Sequence, residues 1–245
     1  MVDSPADRER IKNIKGIAVK HFAAKQNAQA IFILEKLLAF APKDDEIYQM
    51  IAQNYSDQDM NEEAIHTLQE AIKKIGPTKR LNYSLCVLLK DDDYNQDQFK
   101  KYLQQLLQLD PNDIDTLFLQ ASVMQQENQL LQAIEVYKKI HSLDKNCHVS
   151  LRNIAMNYKT LGKYAEALEY AQKSLSVCKE DHLATVIKAK CMIALNQDVQ
   201  AAQKLLDDAE TYVANSPSIK NKNNLRNSQT TLISELKQQK LSFSV

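Results

Sequence analysis

The sequence predicts an all-α chain built as a solenoid of stacked helix pairs. Three observations predict it. Alanines recur every 34 residues at Ala133, Ala167 and Ala201, and Ala30 and Ala64 keep the same spacing upstream. A second alanine column (Ala18, Ala52, Ala121, Ala155, Ala189) leads the first by twelve. The 245 residues include only three glycines and no tryptophan, which suits helices joined by short turns. A helix pair of this period cannot bury an apolar face alone, so pairs stack and present a long concave surface. That architecture points to a binding protein and away from a catalyst.

The clearest unit is 148–181, HVSLRNIAMNYKTLGKYAEALEYAQKSLSVCKED. Counting His148 as position 1, Leu151, Ile154, Ala155, Tyr158, Gly162, Tyr164 and Ala167 fall at positions 4, 7, 8, 11, 15, 17 and 20. This pattern resembles a tetratricopeptide repeat. Small residues at 8 and 20 let two helices approach closely, and the large residues fill the space around them. Stepping by 34 gives repeats 114–147 and 182–215. Stepping back gives 80–113, 45–78 and 11–44, with Lys79 as a one-residue insertion. The resemblance implies a right-handed superhelix of about six helix pairs over 11–215.

Taken in order, residues 1–10 are expected as a flexible tail. The pairs follow at 11–24 with 28–40, 46–57 with 61–74, 80–90 with 95–109, 114–127 with 130–143, 149–161 with 164–177, and 183–195 with 198–213. Asn27, Asn61 and Asp198 stand where second helices begin and suit capping. Pro42 and Pro111 fall at position 32, where a proline ends the second helix. Repeat 80–113 departs most from the pattern, with Phe99 at position 20 and Lys90 at 11. Ser216-Pro217 breaks the chain. Leu225, Leu232, Ile233 and Leu236 then form one apolar stripe, so 216–245 is expected as a capping helix and tail.

Formal net charge is zero, with 31 basic and 31 acidic residues, so no global field recruits nucleic acid or anionic membrane. The charge is uneven: 45–113 holds 7 Lys/Arg against 13 Asp/Glu, and 216–245 holds 5 against 1. These are either solvated faces or mutually attracting segments. The amino terminus lacks the apolar core of a secretory signal, and no run of 18 apolar residues could span a membrane. Cys86, Cys147, Cys178 and Cys191 show no CxxC pattern, so reduced thiols are expected. The cytoplasm is the expected location, with nucleus and cilium left open.

The chain offers little chemistry. No HExxH, GxSxG, Walker or GxGxxG pattern appears, so neither an enzyme nor a cofactor is expected. His148 and His182 share position 1 of adjacent repeats but lack further ligands, so no metal site is expected. Asp91, Asp93, Asn95 and Asp97 imitate a calcium loop, yet Gln96 and Tyr102 stand where it needs Gly and Glu. The terminal Phe243-Ser244-Val245 has an apolar-x-apolar form too short to carry an assignment. In the family, a carboxylate clamp for chaperone tails uses Lys at 5 and Asn at 9, Asn at 6 of the next repeat, and Lys at 2 with Arg at 6 of the third. Lys15 matches, but Val19 and Met50 break the set, and no consecutive triple carries it. Clamp-type chaperone binding is therefore not expected.

In the resembled family, positions 2, 5, 6, 9 and 12 of the first helix line the groove. They include Leu81, Leu85, Leu88, Phe118, Leu119, Met156, Val186 and Ile187. Ser122, Arg152, Asn153 and Lys190 are polar members. An apolar floor implies a partner segment that buries hydrophobic side chains, such as an amphipathic helix or peptide. Arg152 and Asn153 would orient it. The expected function is a non-enzymatic adaptor or scaffold. The alternatives are a structural subunit of a large assembly, or a chaperone for apolar client segments.

Overall fold

The computed structural model describes residues 4–90 and 92–215. The expected capping helix at 216–245 lies outside the described residues, as does Asp91. The described chain is all-α. Its helices are α1 (Pro5–Ala23), α2 (Asn27–Leu38), α3 (Asp45–Ser56), α4 (Asn61–Ile75), α5 (Lys79–Leu89), α6 (Gln96–Leu109), α7 (Ile114–Gln126), α8 (Leu130–Leu143), α9 (His148–Thr160), α10 (Tyr164–Val177), α11 (His182–Ala194) and α12 (Val199–Asn215). Two compact units divide the chain between Thr116 and Leu117.

Residues 5–10, expected as a loose tail, are helical. Ser4 accepts a hydrogen bond from the Asp7 amide at 3.1 Å, and Pro5 opens the helix where its missing N–H costs nothing. Several first helices of the pairs are capped in the same way. Asp44 accepts from the Glu46 amide, Thr78 from Leu81, and Asp181 from Ala184. Second helices start differently. Asn27 and Asn61, expected as caps, are instead the first residues inside α2 and α4, neither of which has a side-chain cap. Their chain entry is made by a left-handed residue in the turn: Lys25 (φ 58°), Asp59 (60°), Asn128 (59°), Gly162 (73°) and Asn196 (54°). Asp198 does cap α12, accepting from the Ala201 amide at 3.1 Å.

The alanine columns are buried because helices cross there. Ala18, Ala52, Ala121, Ala155 and Ala189 are at most 2% exposed, and Ala30, Ala64, Ala133 and Ala167 are fully buried. In the amino-terminal unit Ala18, Leu34, Leu37, Ile47 and Ile51 share one apolar cluster. In the carboxyl-terminal unit Ala155, Ala167, Ala171, Ile187, Ala189 and Leu206 share another.

The expected register fails at two places, for one reason. Ile47, Tyr48, Ile51 and Ala52 of α3 are buried, and the buried Leu81, Asn82, Leu85 and Cys86 of α5 follow them at the regular period. Ala64, Leu68 and Ala71 of α4 are matched one residue later, by Phe99, Leu103 and Leu106 of α6. The extra residue therefore lies between α5 and α6, not at Lys79. Among the described residues of that turn none is left-handed; it includes a single 3-10 turn, Asp93–Asn95, capped by Asp92. The same slip precedes α12, where Ala202, Leu206 and Ala209 are buried and Ala201 is not. Here the turn takes up its extra residue with two positive φ angles, at Asn196 and Asp198.

Candidate protein-binding surface

Within the amino-terminal unit α3 and α5 pack side by side, and a cleft of about 180 Å³ opens between them. Gln49, Gln53 and Ser56 line it from α3, and Tyr83, Ser84, Val87 and Leu88 from α5. These residues recur because both helices keep the 34-residue period: Tyr83 follows Gln49, and Val87 follows Gln53. A second hollow shares Ser56, Val87 and Leu88 and continues past Asn61, Ile65, Asp92 and Tyr94. Val87 is 43% exposed and Tyr94 99%. Apolar groups this open to water, beside amides and hydroxyls, suit a partner's chain.

Charge is ordered along this surface. At one end the Arg80 guanidinium donates to Gln49 Oε1 at 3.0 Å and pairs with Asp45 at 3.2 Å. Lys79 pairs with Asp113. Burial pushes the Tyr83 phenol above its ordinary pKa, and the negative charges of Asp115 and Asp113 push it further. At the other end Asp92 accepts from the Asn95 side chain at 2.7 Å and the Tyr94 amide at 2.9 Å. Those bonds hold its carboxyl below the usual range, so it stays ionised. Gln53 donates to Asp57 at 2.6 Å, beside the same end.

The groove residues expected from sequence divide into three groups. Leu81 and Leu85 are fully buried in the core of the amino-terminal unit and cannot floor a groove; placing the insertion at Lys79 sets them one position too early. Leu119, Val186 and Ile187 are also buried, which removes them as contacts for an outside ligand. Val186 and Ile187 instead join the apolar cluster with Ala202 and Leu206. Leu88 lines the cleft described above. Phe118, Ser122, Asn153, Met156 and Lys190 are half-buried.

Arg152 is not available to orient a ligand. Its Nη1 lies 3.3 Å from both carboxylate oxygens of Asp181, whose side chain is 2% exposed. Ser174 Oγ stands 3.3 Å from Asp181 and 2.9 Å from the His148 carbonyl. Asn153 bonds Tyr137, and Gln125 accepts from the Tyr137 hydroxyl at 2.7 Å while donating to Asn157 at 2.5 Å. Ser122 turns its hydroxyl onto the Leu119 carbonyl at 2.8 Å. Arg152, Asn153, Gln125 and Ser122 thus have partners within the carboxyl-terminal unit. Lys15, which matches one clamp position, pairs with Asp44 at 2.7 Å and Glu46 at 2.5 Å.

Sequence reasoning missed Tyr83, Val87 and Tyr94. The signal was present: stepping 34 residues from Ile47, Ile51 and Ala52 reaches the apolar Leu81, Leu85 and Cys86. Among the described residues no group of His, Cys, Asp and Glu is placed to hold a metal, and no helix is long and apolar enough to cross a membrane.

An all-α array of helix pairs with open inner clefts defines a helical-repeat protein of the protein-interaction class. Tetratricopeptide-repeat profiles match residues 21–80 and 149–180, and these matches support a tetratricopeptide-repeat assignment. It is 27% identical over 153 residues to the TPR repeat-containing protein YpiA of Bacillus subtilis (strain 168), a match covering 62% of this chain. The match spans 36% of that longer relative. Among solved structures it resembles PilW, a widely conserved type IV pilus biogenesis factor, with a TM-score of 0.68 and 16% identity over 86% of this chain and 96% of that one. It also resembles a structure of the APC/C hetero-tetramer Cut9-Hcn1, with a TM-score of 0.64 and 14% identity over 92% of this chain and 42% of that one. YrrB, a TPR protein with an unusual peptide-binding site, gives 0.54 and 19% identity over 70% of this chain and 88% of that one. At these identities the likeness concerns the fold alone.

Proposed function

We propose that the protein is an adaptor that holds an extended segment of a partner protein in the α3–α5 cleft. The observation that carries this is the exposure of Val87, which lines both the cleft with Gln49, Gln53 and Ser84 and the adjoining hollow with Tyr94. An extended segment leaves its backbone N–H and C=O groups unpaired, and side-chain amides and hydroxyls can pair them. Val87 and Leu88 would take an apolar side chain. YrrB, which shares the fold, has a peptide-binding site, and that is consistent with this use of the fold. This reading confines the groove expected from Leu81 to Lys190 to its α3–α5 end, because Arg152, Asn153 and Ser122 further along have partners within their own unit.

Panning a displayed 12-residue peptide library against the full chain tests the proposal. Val87→Glu should weaken the selected peptides at least ~10-fold, because one buried apolar anchor contributes about 1.5–3 kcal/mol. Equal affinity for the variant would remove the cleft from the site.

A second reading, a permanent subunit of a larger assembly, rests on the first helix pair. Phe32 and Phe40 there are 59% and 63% exposed. Gel filtration of native extract would then find the protein only in a large complex.

A further inference from the structure

The clefts, buried polar groups, thiols and exposed aromatic residues differ in what they could recognise, and one end of the α3–α5 cleft is the most specific. We infer that the partner segment carries a lysine or arginine next to its apolar anchor, with the cation seated on Asp92 and Tyr94. This rests on the reading that the cleft binds a partner segment.

Four observations support it. Asp92 and Tyr94 line the same hollow as Val87 and Leu88, so a cation seated on them adjoins an apolar side chain on those two. The Asp92 carboxylate is held ionised by the Asn95 side chain and the Tyr94 amide. Each of its oxygens accepts one of those bonds and keeps a further lone pair for an incoming N–H. The Tyr94 ring is 99% exposed, which no packing need explains. An aromatic face beside a carboxylate is a complementary seat for guanidinium or ammonium.

The surroundings favour the same sign. Residues 45–113 hold 13 acids against 7 bases. Two of those bases, Lys79 and Arg80, already pair with Asp113 and Asp45. Asp57 and Asp59 sit on the turn after α3, at the same end of the cleft as the turn after α5. The Tyr83 phenol is raised first by its burial and then by the negative charges of Asp115 and Asp113 inside the same unit. An acidic partner segment would be repelled at the Asp92 end; a basic one would be drawn in there at low salt and released at high salt.

An oriented nonapeptide library with a fixed central leucine, applied to the full chain, tests this. Lysine or arginine should be enriched beside the leucine. The selected basic peptide should bind at least ~5-fold more weakly at 300 mM than at 50 mM NaCl. Tyr94→Ala and Asp92→Asn should each weaken it ~5-fold or more, and should have little effect on the same peptide with norleucine in place of the cation. Tyr94 is fully exposed, so its variant folds even if the Asp92 change loosens the turn. Enrichment of neutral or acidic residues, or equal affinity at both salt concentrations, overturns the inference while leaving the cleft in place if Val87→Glu still abolishes binding. If Val87→Glu changes nothing, the cleft reading itself fails.

Discussion

Arg152 directs its guanidinium at Asp181, with Nη1 3.3 Å from each carboxylate oxygen of a side chain only 2% exposed. The pair joins the first helix of one repeat to the cap of the next, since Asp181 also accepts from the Ala184 amide. A residue that looks like a ligand contact in sequence is thus a joint between repeats. Arg152→Ala leaves a buried carboxylate with its cation removed. It should lower unfolding free energy by about 3 kcal/mol in urea titration. Arg152→Lys should recover part of this, because a lysine keeps the charge but not the fork. A loss under about 0.5 kcal/mol would mean that Ser174 and the α11 amide suffice.

Phe118 has a related fate. Its ring centroid is 5.8 Å from that of Tyr137, tilted at 57°, and Tyr137 is almost fully buried. Such a pair contributes about 0.5–1.5 kcal/mol beyond the area it covers. Phe118→Glu should therefore lower the melting temperature, whereas Phe118→Leu should be milder. Partner binding measured below the melting transition should be unchanged in both. An unchanged melt with lost binding would return Phe118 to a ligand-contacting role.

Cys86 is fully buried, and its thiol lies 3.9 Å from the Phe99 carbonyl. Burial pushes its pKa up to about 12. An unfolded cysteine titrates near 8.5, so the folded pKa is the higher one. The stability this thiol contributes is fully present below about pH 8.5 and fades as pH rises towards 12. Burial raises the Tyr137 phenol in the same direction. The native protein should thus lose stability above about pH 9. At pH 8 iodoacetamide should label the half-buried Cys147 and Cys178 and spare Cys86, while in urea all should react. Native labelling of Cys86 at the rate of Cys147 would show that α5 and α6 open locally.

The helices were legible because alanine spacing reports where helices cross, and crossing geometry tolerates few side chains. Ala64 and Ala167 had to be small, and they are buried. The groove was less legible, because a one-residue slip in a turn leaves both flanking helices intact while rotating every assignment between them. Val87 and Leu88 differ by one position, yet Val87 faces water and Leu88 is half-buried. The engagement of Arg152 with Asp181 was hidden for another reason. The two are 29 residues apart, and only the stacking of repeats brings them together.

The turns between paired helices make the last prediction. Lys25, Asp59, Asn128, Gly162 and Asn196 occupy one structural position, and all hold positive φ. A residue with a Cβ gives up roughly 1–2 kcal/mol in the left-handed region, and asparagine suffers least of the ordinary residues. Glycine avoids that strain but loses more freedom on folding, about 0.5–1 kcal/mol. Lys25 is exposed and holds φ of 58° with no glycine to ease it. Lys25→Gly should therefore stabilise the amino-terminal end by about 0.5 kcal/mol, and Asn128→Gly should change little. At Gly162 the order reverses. A Cβ there meets nothing within 4 Å, so substitution acts through the backbone alone. Gly162→Ala should cost about 1 kcal/mol, and Gly162→Asn roughly half as much. Urea titrations of the four variants give the comparison directly. If Gly162→Ala and Gly162→Asn are equally stable, the turn does not enforce its left-handed residue, and the shared conformation of these five positions reflects loop length alone.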